Sequence, residues 1–172
     1  MNRGNPCDAG TIARMSPIDP RGHSDAALPS LEVRPPRGEA EWAAAVAILR
    51  QLRPDLAEKT VLPRLREIAG VNGYRLHVGI DGSGQVVAVA GARPDDGLSR
   101  GPHLRIDDLV VDAARRGEGF GRAMLDGLFA EAREQGLPKI LLDARHDARG
   151  FYERLGFAFR GAEPCMIDVP DA

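Results

Sequence analysis

Apolar residues recur along this chain at two periods, and the places where the period changes mark its elements. Leu31 to Arg34 is a short strand stopped by Pro35 and Pro36. From Glu39 to Gln51, Trp42, Val46 and Leu49 stand at helical spacing with alanines between them, which predicts a helix. Pro54 interrupts it. Val61, Leu62, Leu65 and Ile68 then form the stripe of a second helix over Ala57 to Ile68, closed by Gly70 and Gly73. The period next falls to two: Tyr74 to Asp81 alternates, Asp81 to Gly84 is a hairpin turn signal, and Gln85 to Pro94 is a more continuously apolar strand. Gly97 to Pro102 reads as loop and His103 to Asp112 as the next strand.

Beyond a glycine-rich turn the helical period returns over Gly121 to Gln135, with Met124, Leu128 and Ala132 on one stripe and Leu125 and Phe129 beside it. Gly136 and Pro138 end that helix. Lys139 to Ala144 is a fifth strand whose unbroken apolar centre predicts burial on both faces. Ala148 to Leu155 is a last helix stopped by Gly156, and Phe157 to Val169 supplies one or two closing strands. The order β-α-α-β-β-β-α-β-α-β predicts an α/β chain of the α+β type, with one mixed sheet and helices on both faces.

Composition narrows this reading without redirecting it. The chain has 172 residues, 43% apolar and 28% charged, which suits one globular domain. Residues 1–30 are rich in proline and glycine and have almost no apolar run, so they are expected to form a disordered tail ahead of a domain over 31–172. A formal net charge of -2 gives no general footprint for nucleic acid or an anionic membrane. No stretch reaches the ~20 apolar residues of a membrane span, and the start lacks the apolar segment of a secretory signal. Cys7 and Cys165 lie at opposite ends with no metal-ligand spacing, so neither a zinc site nor a disulfide framework is expected. A reducing cytoplasm is the simplest setting, with the chain a monomer or homodimer.

The chemistry concentrates in the turn Arg115 to Leu125, RRGEGFGRAML, where a strand runs through three glycines into a helix. Amides of such a turn and of the first helical turn lack intrachain partners, point the same way, and share the positive end of the helix dipole. Side chains at Gly117, Gly119 or Gly121 would obstruct an approaching phosphate or forbid the left-handed dihedrals of a nest. Arg116 and Arg122 can add charge-assisted hydrogen bonds to its outer oxygens. A nucleoside-triphosphate loop would need Gly-Lys-Ser/Thr where this turn ends Gly121-Arg122-Ala123. The dinucleotide fingerprint fits Gly117 and Gly119, with Asp143 as the acid after the next strand, but its third glycine position is Arg122.

Residues Leu109 to Gly136 resemble motif A of the GNAT superfamily of N-acetyltransferases, whose signature Gln/Arg-x-x-Gly-x-Gly/Ala appears here as Arg116-x-x-Gly119-x-Gly121. Ala148 to Phe157, ARGFYERLGF, is similar to that family's motif B, and the resemblance covers roughly Leu31 to Val169. Arg145 stands where family members commonly carry Asn. The resemblance implies a mostly antiparallel sheet and an acetyl-CoA site. Pyrophosphate would lie on the amides of Gly117, Glu118, Gly119, Phe120, Gly121 and Arg122, beside Arg116. The pantetheine arm would pair with the backbone at Leu109, Val110 and Val111, and Ala148 and Phe151 would line its other side. The activity implied is transfer of acetyl from acetyl-CoA to a primary amine, of a small molecule or a protein, with coenzyme A as product. A catalytically silent acyl-CoA sensor or interaction module is the alternative.

Such transfer needs a neutral amine, a polarised carbonyl and a proton for the departing thiolate, and no enzyme nucleophile. Motif B would put Tyr152 beside the sulfur. Its phenol, with a pKa of ~10 against ~8.5 for a thiol, can supply that proton. For the base, period-two alternation sends Asp107 and Asp108 to opposite strand faces, so only one should reach the cleft. Asp108, aligned with an acid that family members often place there, comes first and Asp107 second. His103 and His146 have suitable intrinsic pKa values but are expected at the surface. Asp143 could orient an arginine of the turn or help bind the acceptor, and Cys165 is expected to be buried in a closing strand.

Overall fold

The computed structural model describes residues 28–55 and 57–159. Five strands form one sheet in the order β1-β2-β3-β4-β5: β1 (Leu31–Arg34), β2 (Arg75–Asp81), β3 (Val86–Asp95), β4 (His103–Val111) and β5 (Ile140–Leu142). The first four pair antiparallel and β5 joins β4 in parallel, giving the mixed, mostly antiparallel sheet that was expected. Helices α1 (Gly38–Leu52) and α2 (Glu58–Ile68) cover one face, α3 (Phe120–Glu134) and the short α4 (Arg149–Arg154) the other. The expected closing strands and Cys165 lie outside the described residues, as does most of the expected tail. Among the described residues, no helix is long and apolar enough to cross a membrane.

Alternation along the strands sorts the two cores. Leu76, Val78 and Ile80 of β2 join Val89 and Val110 under α1 and α2, against Ala45, Val46, Ile48 and Leu49. On the other face Ala88, Ala90 and Ala92 of β3 lie beneath Met124, Leu125 and Leu128 of α3. Three alanines in one row let α3 approach the sheet closely, and a β-carbon built on Gly127 would stand 2.7 Å from Val33 Cβ, so the helix touches β1 as well. β5 is only half-buried, not sealed on both faces, because it is a three-residue edge strand in the described sheet.

β4 breaks the alternation. Ile106 pairs with Ala92 and Asp108 with Gly91, so Asp107 is an extra residue, a β-bulge. Before it, Leu104 and Ile106 face α3; after it, Leu109 and Val111 do, while Val110 turns to α1. The expectation that Asp107 and Asp108 point to opposite faces is therefore corrected. The bulge absorbs one residue of the alternation, and both carboxylates reach the α1/α2 side, where they line one cavity.

Candidate functional site

β4 and β5 stay paired only from Leu104/Ile140 to Ile106/Leu142, although β4 runs on to Val111. Along Leu109, Val110 and Val111 the strand is bonded to β3 on one edge, and its other edge has no strand partner among the described residues. β4 thus runs on past the end of β5 with that edge open. At its end Asp112 caps a single 3₁₀ turn, Ala113–Arg115, by accepting from the Ala114 amide, and the chain enters the glycine turn.

Gly117 and Gly119 have φ of 84° and 91°, left-handed values that a β-carbon disfavours. Gly119 is the N-cap of α3 and its carbonyl accepts from the Arg122 and Ala123 amides. The amides of residues 117–121 make no hydrogen bond among the described residues. They form an array of donors at a helix start, suited to an anion. Gly121 differs from the other two. It is helical, and a β-carbon there would lie 3.2 Å from Phe151 Cζ and 3.6 Å from Val111 Cγ2, so its lack of a side chain admits α4 against α3 rather than a left-handed bend.

Arg115 fixes the turn. It donates to Asp81 at 2.8 Å and to Glu118 at 3.1 Å, and its guanidinium lies 4.8 Å from the centre of the Phe120 ring. The Ser83 hydroxyl and Arg115 hold the Asp81 carboxyl well below the usual carboxylate range, so the β2–β3 hairpin anchors the turn with a permanent charge. Arg116 is exposed and donates to the Val111 carbonyl at 3.3 Å; Arg122 is half-buried one helical turn into α3. Pro29, just ahead of β1, lies over the outer side of Gly119.

Ala148, half-buried at the end of a 3₁₀ turn, opens α4 and packs with Phe151 against the α3 core. Tyr152 is 7% exposed, with its ring edge-on to Phe151 at 5.0 Å and Phe157 at 5.4 Å. Its hydroxyl makes no hydrogen bond among the described residues, and burial raises its pKa. The phenol thus stays protonated through neutral pH and keeps a donor to give.

Across the sheet, under α1 and α2, the two aspartates line a cavity of about 690 Å³. Asp107 accepts a hydrogen bond from Arg93 Nε at 2.9 Å, and Arg105 Nε lies 3.5 Å from its other oxygen as an ion pair without a hydrogen bond. Asp108 receives Arg53 twice on the same oxygen, at 2.8 and 3.2 Å, which leaves Oδ2 without a partner among the described residues. Beside them Tyr74, 6% exposed, lies directly over Gly91: a β-carbon on Gly91 would stand 2.1 Å from the phenol oxygen. Burial first, then the charges of Asp108 and Asp107, raise the Tyr74 pKa. Tyr74, Arg53 and Arg93 were not singled out in the sequence. The signal available was Gly91, a glycine inside an apolar strand, which marks close approach of another group.

The remaining candidates separate from this site. His146 is exposed as expected, but His103 is buried at 3% exposure, its Nδ1 donating to the Gly101 carbonyl at 2.8 Å, because the strand begins one residue inside the core beside Leu104. Asp143 is bound by Arg105 of β4 rather than by an arginine of the turn. Among the described residues no group of three or more His, Cys, Asp or Glu could hold a metal.

The model of the acetyltransferase (GNAT) family matches residues 42–157. An uncharacterized N-acetyltransferase of Bacillus subtilis, YhdJ, is 35% identical over 121 residues, 68% of this chain and 84% of that one. A glucosamine 6-phosphate N-acetyltransferase of Trypanosoma brucei brucei is 32% identical over 100 residues, 53% of this chain and 68% of its own. A crystal structure of a Trypanosoma brucei acetyltransferase superposes with a TM-score of 0.64 at 27% identity, covering 81% of this chain and all of that one. An aminoglycoside N-acetyltransferase solved with CoA shares the fold at a TM-score of 0.66 and 14% identity, covering 85% and 98%.

Proposed function

Because this chain belongs to the acetyltransferase (GNAT) family, we propose that it moves an acetyl group from acetyl-CoA to the primary amine of a small molecule, by direct attack while both are bound. The observation that carries this reading is the run of unbonded amides at residues 117–121, a donor array at the head of α3 that continues into the free edge of β4. It fits a diphosphate followed by an amide-bearing arm. Arg116 and Arg122 supply charge at the mouth, Leu109 to Val111 offer backbone groups to the arm, and Ala148 and Phe151 close its far side. The carrier brings the activated thioester; the protein supplies position and protons.

The acceptor nitrogen forms the new bond to the carbonyl carbon as the carbon–sulfur bond breaks, and the nitrogen's surplus proton leaves through Asp108 Oδ2. Tyr152 donates its hydroxyl proton to the departing thiolate. Asp107, paired with both Arg93 and Arg105, holds the bulge in place, and Asp108 rather than Asp107 is the base. Relatives named as glucosamine 6-phosphate N-acetyltransferases support a small-molecule acceptor. Thiol release measured against a panel of amines tests the reading, with calorimetry of CoA binding in parallel. Tyr152→Phe should bind CoA as the parent does and lower kcat on the order of a hundredfold. Binding without release on any amine would make the chain a silent carrier-binding module.

A further inference from the structure

The cavity under α1 and α2 says more about the acceptor than that it is an amine. Its walls are Leu49, Val61, Leu65, Ile68 and Val71, with the Tyr74 ring at one end beside the aspartates. Three arginines line it, and each already faces a carboxylate: Arg53 with Asp108, Arg93 with Asp107, and Arg64 with Glu67 at 2.9 Å. A phosphate entering here would compete with an existing partner for every guanidinium. A sugar ring would bring several hydroxyls to a wall that is largely hydrocarbon, where unpaired polar groups are costly.

Among the charged groups that line the cavity, Arg53 is paired with Asp108 and Arg93 with Asp107, and Asp108 keeps its Oδ2 without a hydrogen bond among the described residues, an acceptor for an incoming N–H group. Tyr74 gives a second pointer: more than nine-tenths buried, it makes no hydrogen bond through its hydroxyl among the described residues. An ammonium group can donate to both Asp108 Oδ2 and the Tyr74 oxygen. Val71, 54% exposed at the rim, then lies along whatever extends outward.

Resting on the acetyl-transfer reading, we infer that the acceptor is a primary amine on an apolar body, an alkylamine or arylalkylamine. It enters nitrogen-first toward Asp108 and Tyr74 with its hydrocarbon against α2. This sets the chain apart from its relatives named for glucosamine 6-phosphate.

The test is thiol release from acetyl-CoA by the full chain with n-butylamine, n-hexylamine, 2-phenylethylamine, glucosamine and glucosamine 6-phosphate. The expected result is that kcat/KM rises from butylamine to hexylamine by roughly tenfold or more, what burying two further methylenes contributes, and that both sugars are poor. Val71→Ser, at an exposed site that spares the fold, should raise KM for hexylamine several-fold without changing KM for acetyl-CoA. Preference for either sugar, with thiol release intact, overturns the inference and leaves acetyl transfer standing. A hexylamine KM indifferent to Val71→Ser also overturns it. Absence of both CoA binding and thiol release removes the reading beneath it.

Discussion

Gly119 and Gly136 cap the two ends of the same helix, both left-handed, and only one of them faces the proposed carrier site. Gly119 has φ of 91° and Gly136 of 68°. A β-carbon on Gly136 would meet nothing within 4 Å; one on Gly119 would meet Pro29 Cδ at 3.0 Å, a neighbour on a partly exposed segment that can yield. Alanine at either position therefore suffers mainly the dihedral penalty, roughly 1–2 kcal/mol. For a chain of this size that corresponds to a fall in Tm of about 2–8 °C. Stability alone should not distinguish the two variants.

Affinity should. Relaxing Gly119→Ala out of the left-handed region rotates the neighbouring peptide and turns its amide away from the array at residues 117–121. One hydrogen bond to a charged group contributes about 1.5–3 kcal/mol, so CoA binding should weaken roughly tenfold to a hundredfold. Gly136→Ala should bind CoA as the parent does. Differential scanning fluorimetry reads the first quantity and isothermal titration calorimetry the second. Equal Tm losses with equal CoA dissociation constants would refute the assignment of these amides to the carrier, because the backbone change would then be felt by the fold and not by the ligand.

Three further outcomes follow from other parts of the molecule. Asp108→Asn should lower kcat/KM for the amine on the order of a hundredfold, whereas Asp107→Asn, which loosens the grip of Arg93 and Arg105 on the bulge, should act first on thermal stability; the reverse order, read by thiol release and melting, would exchange their roles. Gly91→Ala forces the Tyr74 ring out of its seat and should lower stability by about 1–3 kcal/mol and raise the amine KM, leaving CoA affinity intact. His77, 4% exposed, contacts Glu131 at 2.6 Å and, with Arg75, lowers the Glu131 pKa. A depressed carboxylate stabilises the fold above its unfolded pKa of about 4.3 and loses that contribution as pH falls through the folded value. Glu131→Gln should therefore be less stable than the parent at pH 7 by about 1–2 kcal/mol and converge with it toward pH 3, as followed by chemical denaturation across that range.

The parts of this molecule that could be read from residue order are those set by local rules. Helical spacing of Met124, Leu128 and Ala132 located α3 to within a residue at either end, and the turn at Asp81 to Gly84 was announced by its glycines and aspartate. The left-handed bend at Gly117 and Gly119 was legible for the same reason, although a glycine-rich turn alone reads equally well as a plain surface loop and it was the two motifs in order that pointed to an anion. What stayed hidden depends on neighbours far along the chain. Arg53 reaches Asp108 across 55 positions and Arg115 reaches Asp81 across 34, and no spacing rule connects them. Burial of His103 was missed because a strand's first residue is exposed only if the sheet ends there, and Leu104 shows that it does not.

The bulge at Asp107 joins the legible and the hidden parts. Without it, strict alternation would place Leu104, Ile106, Asp108 and Val110 on one face, and Asp108 would enter the α3 core as an unpaired charge among Leu128, Met124 and Ala90. One inserted residue instead turns Leu109 and Val111 to the α3 side, along the edge of β4 that has no strand partner among the described residues, and sends Asp108 to the α1/α2 side with Arg53. The proposed carrier edge and the proposed acceptor cavity are thereby set by one and the same strand. Deleting Asp107 removes the extra residue and restores strict alternation, with Asp108 still on the α1/α2 side and Leu109 and Val111 still on the α3 side. The expected consequence is a chain that still folds and binds CoA, and a deletion variant that loses its fold or CoA binding, by circular dichroism and calorimetry, would show that the bulge does not set the two faces.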